Sequence, residues 1–241
     1  MIHYHGLPIT PATTARAAIH GGHAFVSFRH PDQLGLAIEC CQSFAVDNGA
    51  FSAWKDANPI TDWSEYYRWV EKIMFTPSFD WAVIPDVIDG DESQNDELLA
   101  EWPFTDYGVP VWHLHESVDR LYRLATAYPR VALGSSGVWS TIGSPSWWRR
   151  MDEALTEICT NGQPCTKLHG LRMLDPEIFS RLPLASADST NIARNVGMDG
   201  AWRGTYTPPN KDARAQVMRQ RIESVNGATE WAGIPQQEMA I

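Results

Sequence analysis

The chain has 241 residues, 44% of them hydrophobic and 20% charged, which is enough apolar material for one sizeable core and excludes a disordered protein. Its 19 basic residues stand against 29 acidic ones, and the formal net charge of −10 argues against a surface coated for indiscriminate nucleic-acid binding. Four cysteines cannot form a disulfide scaffold, and no apolar run reaches the roughly 20 residues of a membrane helix. Because the opening MIHYHGLPITP lacks the layout of a signal peptide, we expect a soluble, cytoplasmic protein.

Short β-branched or apolar runs recur along the chain, and helical patterns lie between them. The predicted strands cover residues 2–8, 23–29, 43–48, 80–86, 109–115, 130–135, 167–173 and 184–188. The clearest predicted helices cover 62–73, 146–158 and about 211–224. Eight strand–helix units in so short a chain predict one domain, 1–241, folded as a compact, irregular (β/α)8 TIM-like barrel. A doubly wound open sheet is the alternative, but no Gly-x-Gly-x-x-Gly follows the first strand.

Polar side chains lie at the ends of several predicted strands, where barrels of this kind form their active sites. They are Asp47, Asp86, His113, His115, the Gly134-Ser135-Ser136-Gly137 loop and Asp188, with His169 inside the seventh strand. Like charges raise one another's pKa values and burial opposes ionisation, so gathering these groups at one edge is costly without a function. The pattern therefore indicates an active site.

Each position also has a purely structural interpretation. Asp47-Asn48-Gly49 is a common turn sequence, His169 on an apolar strand fits a hydrogen-bonded core histidine, and 134–137 fits a plain connection. The acidic residues between 89 and 92 are interpreted as a solvated loop that enters a helix. Asp86 differs because it ends an apolar run, so we expect it to point into the site.

Two histidine pairs favour a second hypothesis, a metal-dependent hydrolase similar to the amidohydrolase barrels. His3-x-His5 and His113-x-His115 each place two imidazoles on one face of a strand, and Asp188 ends the last strand. The pair Cys159 and Cys165 lacks the short spacing of a structural zinc site.

Five short segments combine the strand ends with the residues that follow them. They are 43–51 (SFAVDNGAF), 84–86 (IPD), 131–135 (VALGS), 167–170 (KLHG) and 187–195 (ADSTNIARN). In this order and spacing they resemble the tRNA-guanine transglycosylase superfamily, and the likeness covers roughly residues 43–197. The branch that this chain most resembles is the short deazapurine DNA-modifying transglycosylases of phages and bacterial modification islands.

The resemblance implies an irregular (β/α)8 barrel that replaces guanine in a polynucleotide with a 7-deazaguanine, such as a preQ0-like base, without a metal or redox cofactor. The tRNA enzymes carry a Cys-x-Cys-x2-Cys…His zinc site after the nucleophile strand, whereas here no cysteine follows Cys165. We therefore expect a barrel without the zinc subdomain, acting on DNA, with tRNA as the alternative substrate.

Carried over by position, Asp188 resembles the nucleophile that attacks the sugar C1′, and Asp47 resembles the carboxylate that handles protons on the leaving and entering bases. The resemblance also implies substrate-binding roles for Asp86, which would read the purine edge, and for Asn48, Phe51, His113, His115, Gly134, Ser135, His169 and Gly170. Base displacement with retention requires the same two functions, a carboxylate nucleophile and an acid/base group. A base taken from a duplex must also be flipped out and stacked, and Phe51 and His169 are expected to stack on it.

Charge is segregated along the sequence. Between Ser189 and Ile222, six basic residues stand against two acidic ones, whereas the preceding part of the chain is acidic. The segment 197–224 is thus predicted to be a basic loop and C-terminal helix near the nucleophile. The residues expected to hold DNA are Arg149, Arg150, Arg194, Arg203, Lys211 and Arg214. The alternative for the helical arginines is a solvated helix face, and a third hypothesis is a non-catalytic nucleic-acid-binding barrel. A homodimer or a partner subunit is left open.

Overall fold

The computed structural model describes residues 1–202 and 204–234, which form a mixed α/β structure. The strands are β1 (Ile2–Leu7), β2 (His23–Ser27), β3 (Ser43–Asp47), β4 (Phe79–Val83), β5 (Gly108–Val109), β6 (Val111–His113), β7 (Arg130–Gly134), β8 (Cys159–Thr160), β9 (Gln163–Pro164), β10 (Lys167–Gly170) and β11 (Ser186–Ser189). The helices are α1 (Ala12–Ile19), α2 (Leu34–Cys40), α3 (Ala50–Lys55), α4 (Ser64–Ile73), α5 (Glu92–Glu101), α6 (Val118–Ala127), α7 (Pro145–Ile158), α8 (Pro176–Phe179), α9 (Asn191–Asn195) and α10 (Lys211–Glu223). Short 3₁₀ helices cover Pro31–Gln33, Gly137–Trp139 and Asp199–Trp202.

The large sheet is parallel and nearly closed. Its nine strands follow the order β5-β4-β3-β2-β1-β11-β10-β7-β6. The two edge strands, β5 and β6, are consecutive in the chain and are separated only by Pro110. Because β5 pairs with β4 while β6 pairs with β7, the chain itself joins the two edges. The sheet is therefore barrel-like, and the α/β class predicted from the sequence is confirmed.

The structure shifts the ends of several predicted strands. The strand predicted at 109–115 is divided at Pro110, which has no N–H to donate to a neighbouring strand. The strand predicted at 167–173 ends at Gly170, and the one predicted at 80–86 ends at Val83, so Asp86 follows the strand instead of ending it. The sequence analysis did not predict the small antiparallel hairpin of β8 and β9.

Alternate strand residues pack into two separate apolar clusters. Tyr4, Phe25, Ala45 and Trp81 belong to a small cluster together with Ala132. Their neighbours along the strands belong to the main core, where they meet the helices. Because strand side chains alternate between the two faces, the small cluster fills the inside of the sheet and the large one lies between sheet and helices.

The last helix, α10, completes the helical layer beside α1. The Asn210 side chain caps its first turn by accepting a hydrogen bond of 2.8 Å from the Ala213 N–H. At its other end, Arg219 donates to the carbonyl of His20 at 2.7 Å. Within the described ranges, no helix is both long and apolar enough to cross a membrane.

Candidate active site

The carboxyl ends of the parallel strands surround a cavity of about 270 Å³. Three aspartates line it, Asp47 at the end of β3, Asp188 in β11 and Asp86 three residues after β4. They come from distant parts of the sequence, and the sheet brings them together because all its strands point the same way. The cavity therefore contains three acidic side chains.

Asp47 is held through one of its two carboxylate oxygens. Its Oδ2 accepts hydrogen bonds of 3.1 Å from the Gly49 N–H and from the Ser27 hydroxyl. Burial, together with the charges of Asp188 and Asp86, raises its pKa to about 7. At neutral pH both the protonated and the ionised form of this carboxyl are consequently populated. Oδ1 accepts no hydrogen bond from any described residue, so this oxygen is the one available to a ligand.

Asp188 is held from one side only. Its Oδ1 accepts the backbone N–H of Arg172 at 3.0 Å and contacts Nε2 of His169 at 3.3 Å. Over the ranges 1–202 and 204–234, no group donates a hydrogen bond to Oδ2. An aspartate fixed through one oxygen, with the other oxygen unpaired in a cavity, has the geometry of a positioned nucleophile.

His169 lies behind Asp188, inside the sheet. It is fully buried, and burial lowers its pKa, although the hydrogen bond and charge of Asp188 oppose the shift. Its Nδ1 lies 2.9 Å from the hydroxyl of Ser186. An ionised carboxylate can only accept, so Nε2 carries the ring proton and the Ser186 hydroxyl donates to Nδ1. The two residues thus orient Asp188 from below.

Asp86 is fixed by two side chains that the sequence analysis also selected. The Asn48 amide donates to Oδ1 at 2.6 Å, and Nε2 of His113 donates to Oδ2 at 2.8 Å. Asn48 in turn donates to the carbonyl of Ile84 and accepts from the N–H of Ala50. Asn48 is therefore used in holding Asp86 at the cavity wall.

His113 presents an unsatisfied polar atom. The ring is buried and lines the cavity, yet its Nδ1 has no hydrogen-bond partner among the described residues. The adjacent Gly134 matters here, because a Cβ at that position would lie 2.8 Å from Nδ1. With Nε2–H donated to Asp86, Nδ1 is left as an acceptor buried within the protein, and the part that His113 plays at the cavity is to hold Asp86.

The remaining predicted base-binding residues divide into two groups. Phe51, Gly134 and Ser135 line the cavity, and the Ser135 hydroxyl accepts the indole N–H of Trp147 at 2.8 Å. By contrast, His115, His169 and Gly170 do not line it. His115 lies outside the cavity, with Nε2 bonded to the carbonyl of Gly90 at 2.8 Å and its ring stacked on His113. At Gly170 a Cβ would collide with Met173 and Leu184, which are buried in the core.

Arg172 and Ser27 are site residues that the sequence analysis missed. Arg172 donates its backbone N–H to Asp188, and its guanidinium lies over the ring of Phe51, 4.2 Å from the centroid. Both residues fell inside predicted strands that the structure ends earlier, at Gly170 and at Ser27. Ser27 reaches Asp47 because the register of β2 on β3 sets the two residues opposite each other, which the sequence alone does not specify.

The basic residues predicted to hold DNA have different surroundings. Arg194 lines the cavity, and Arg149 and Lys211 are exposed on α7 and α10. Arg150 is used internally, donating to the carbonyls of Leu114 and Glu116. Arg214 pairs with Asp199 at 3.3 Å. Arg203 lies outside the described residues.

The two histidine pairs of the metal hypothesis contact different parts of the protein. His3 bonds to the carbonyl of Val225 at 2.9 Å and His5 to Glu223 at 3.0 Å, both on the helical side of β1. His113 faces the cavity instead. The residues that the structure describes contain no group of three or more His, Cys, Asp or Glu side chains arranged to hold a metal ion.

Comparison of the chain with models of known protein families gives no match, and a search of curated protein sequences finds no significant match either.

Proposed function

We propose that the sheet is a compact (β/α)8 barrel in which β5 and β6 are two halves of one strand interrupted by Pro110. Counted in this way, the sheet has eight parallel strands, and consecutive strands of the chain are neighbours around the barrel. The interior cluster of Tyr4, Phe25 and Trp81 fills it as side chains fill small barrels.

We propose that the protein is a base-exchange transglycosylase that replaces guanine in DNA with a 7-deazaguanine. The observation that carries this proposal is the pairing of Asp188 and Asp47 in one cavity. Each has one oxygen held by the protein and one without a partner in the described structure, and burial and neighbouring charges raise the pKa of Asp47 to about 7. Displacement with retention at a sugar carbon requires two carboxyl groups, one that acts as the nucleophile and one that exchanges protons.

In the first step, Oδ2 of Asp188 attacks C1′ of the target nucleotide. The C1′–Oδ2 bond forms as the bond between C1′ and the base nitrogen breaks, and the departing guanine takes a proton from Asp47. The Arg172 N–H and His169 keep Asp188 aligned for this attack. The product is a glycosyl ester on Asp188 and a free guanine.

In the second step, the incoming 7-deazaguanine occupies the vacated position. Asp47, now ionised, removes the proton from its ring nitrogen, which attacks C1′ and expels the Asp188 carboxylate. Two displacements at one carbon retain the original configuration. Asp47 ends the cycle protonated, so no cofactor is consumed.

The base is read by the wall opposite the nucleophile. Asp86 accepts hydrogen bonds from the N–H groups on the purine edge, and His113 holds Asp86 in place through its Nε2–H. Phe51 supplies an apolar face, and Ser135 lines the same cavity. These groups favour a purine that offers several N–H donors, as guanine and 7-deazaguanines do.

Exchange of labelled guanine into polynucleotides tests the proposal. The wild-type protein is incubated with labelled guanine and with duplex DNA, single-stranded DNA or tRNA, and label in the polymer is counted. We expect label in DNA. Label in tRNA alone would move the substrate to RNA, and no label in any polymer would contradict base exchange. Nucleoside mass spectrometry after co-expression with a deazaguanine supply identifies the inserted base.

A further inference from the structure

Arg172 occupies an unusual position at the edge of the cavity. Its backbone has φ +61°, a conformation that residues other than glycine adopt uncommonly. This conformation lets one residue do two things, because its N–H reaches Asp188 while its side chain turns back over Phe51. One guanidinium nitrogen, Nη2, donates to the carbonyl of Ser135.

The guanidinium of Arg172 has no carboxylate within ion-pair distance in the described part of the chain. Arg194, on α9, lines the same cavity and likewise forms no ion pair with the described residues. Other arginines differ, since Arg120 pairs with Asp96 and Glu116, and Arg214 pairs with Asp199. The cavity therefore holds two guanidinium groups that the protein does not neutralise directly.

These two positive charges act on each other. Burial lowers the pKa of Arg172, the charge of Asp188 opposes this shift, and the charge of Arg194 adds to it. When Asp188 becomes a glycosyl ester it loses its negative charge, so the two guanidinium groups lose the carboxylate whose charge offsets theirs. An anion bound between them removes that cost.

We propose that Arg172 and Arg194 form a phosphate-binding site for the phosphodiester group attached to the nucleotide under exchange. This inference rests on the proposed function, because it places the sugar of that nucleotide at Asp188. Guanidinium groups bind phosphate oxygens through paired N–H donors, and Arg172 has N–H groups beyond the one given to Ser135. Arg194 is exposed at the rim, where the polynucleotide backbone leaves the cavity.

The site matches a phosphodiester better than a free mononucleotide because of its depth. The base and sugar fill the inner cavity, and Arg172 is partly buried beside them. Arg194 and Lys55 also line the cavity and are exposed, so the positive surface continues outward along a chain of phosphates.

Oligonucleotides that carry one neutral methylphosphonate test the inference by binding alone, with no incoming base. Fluorescence anisotropy gives Kd for a guanine-containing oligonucleotide and for versions with a methylphosphonate on either side of the target. The proteins are wild type, Arg172→Met, Arg172→Lys, Arg194→Gln and, as a control, Arg68→Gln on α4, which is exposed and away from the cavity. Arg194→Gln keeps the test valid if Arg172→Met does not fold.

For the wild type, one of the two methylphosphonates should weaken binding roughly tenfold. Arg172→Met and Arg194→Gln should bind the unmodified oligonucleotide about equally weakly and show little further weakening with that methylphosphonate. Each should also reduce the slope of log Kd against log salt by about 0.9 for every phosphate that the variant no longer neutralises. Arg172→Lys should recover part of the affinity, and Arg68→Gln should behave as wild type.

The inference is overturned if the methylphosphonate effect keeps its full size in both variants, or if free deoxyguanosine monophosphate competes as well as the oligonucleotide. The labelled-guanine assay separates this result from the proposed function. A phosphate effect that depends on Arg172 and Arg194, in a protein that exchanges no guanine, supports the phosphate site and rejects the exchange. Exchange of guanine with no such phosphate effect supports the proposed function and rejects the phosphate site.

Discussion

Asp188 is the residue on which base exchange depends in this account. Asp188→Asn keeps an oxygen to accept the Arg172 N–H, but an amide cannot form the glycosyl ester. We expect incorporation of labelled guanine to fall to background, with little change in the free energy of unfolding. Asp106→Asn, at an exposed loop position, is the matched control and should retain full activity. Label incorporated by Asp188→Asn at a rate comparable to wild type would show that another group is the nucleophile.

The raised pKa of Asp47 leads to a prediction of how activity depends on pH. Because its pKa is raised to about 7, the protonated form that donates to the leaving base is lost as the pH rises above this value. The rate constant kcat/KM for exchange should then fall about tenfold per pH unit on the alkaline side. Asp47→Asn should lose this limb together with roughly 10²- to 10⁴-fold in rate. An alkaline limb that persists in Asp47→Asn would assign it to a different group.

The same residue predicts a pH dependence of stability. A carboxyl whose pKa is higher in the folded state than in the unfolded state contributes stability below its unfolded pKa of 3.8, and this contribution is lost as the pH rises to about 7. Relative to Asp47→Asn, the wild type should thus lose stability between about pH 4 and pH 7, by an amount on the order of a few kcal/mol. Urea unfolding of both proteins across this range measures it, and parallel curves would contradict the raised pKa.

Gly134 is predicted to be essential for reading the base. In Gly134→Ala the new Cβ would lie 2.8 Å from Nδ1 and 3.2 Å from Cε1 of His113, so the ring must move and loosen its bond to Asp86. We expect the affinity for guanine to fall by about tenfold or more. Gly35→Ala in α2 is the matched control, since a Cβ there meets nothing within 4 Å and should stabilise the helix by up to about 1 kcal/mol. Equal guanine affinity in the two variants would show that His113 has no part in binding guanine.

At the scale of elements, α10 depends on its cap and on its packing against β1 and α1. Asn210→Ala removes the side chain that accepts the Ala213 N–H and should lower the free energy of unfolding by about 1 kcal/mol. Asn58→Ala, in an exposed loop, is the control and should change stability little. Chemical denaturation measures both. An unchanged midpoint for Asn210→Ala would indicate that the hydrogen bonds of Glu223 and Arg219 alone hold the helix.

The strand pattern was predictable because each strand is a short apolar run that must be buried on both faces. The strands at 23–29, 43–48 and 130–135 correspond closely to β2, β3 and β7. Their exact ends were less predictable. Leu171-Arg172-Met173 has the same apolar character as the strand before it, and only the tertiary structure turns the chain at Gly170 to bring Arg172 over Phe51.

The residues of the candidate site could likewise be predicted only in part from the sequence. Asp47, Asp86 and Asp188 could be brought together from the sequence because each lies near a strand end, and parallel strands end at one edge. For His169 the sequence left both a core role and a base-stacking role open, and its position below Asp188 depends on a strand register that the sequence leaves unspecified. The same ambiguity made His3 and His5 resemble metal ligands, whereas they face Val225 and Glu223.

Across the whole molecule, an acidic protein is proposed to bind a polyanion through a small positive region. The chain carries a net charge of −10, and many of its arginines are already engaged, among them Arg120, Arg150 and Arg214. Arg172 and Arg194 remain available at the cavity that also contains Asp188. If the proposal holds, this arrangement would confine productive binding to a nucleotide placed at Asp188 and disfavour binding elsewhere on the surface.

The most direct test of the account is detection of the glycosyl ester itself. The wild-type protein is incubated with a guanine-containing oligonucleotide without an incoming base, denatured, and analysed by intact mass and then by peptide mass spectrometry. We expect an adduct with the mass of protein plus oligonucleotide minus guanine, located on the peptide that contains Asp188 and absent from Asp188→Asn. An adduct located on Asp47 or Asp86, or continued guanine exchange by a protein that never forms an adduct, would contradict it.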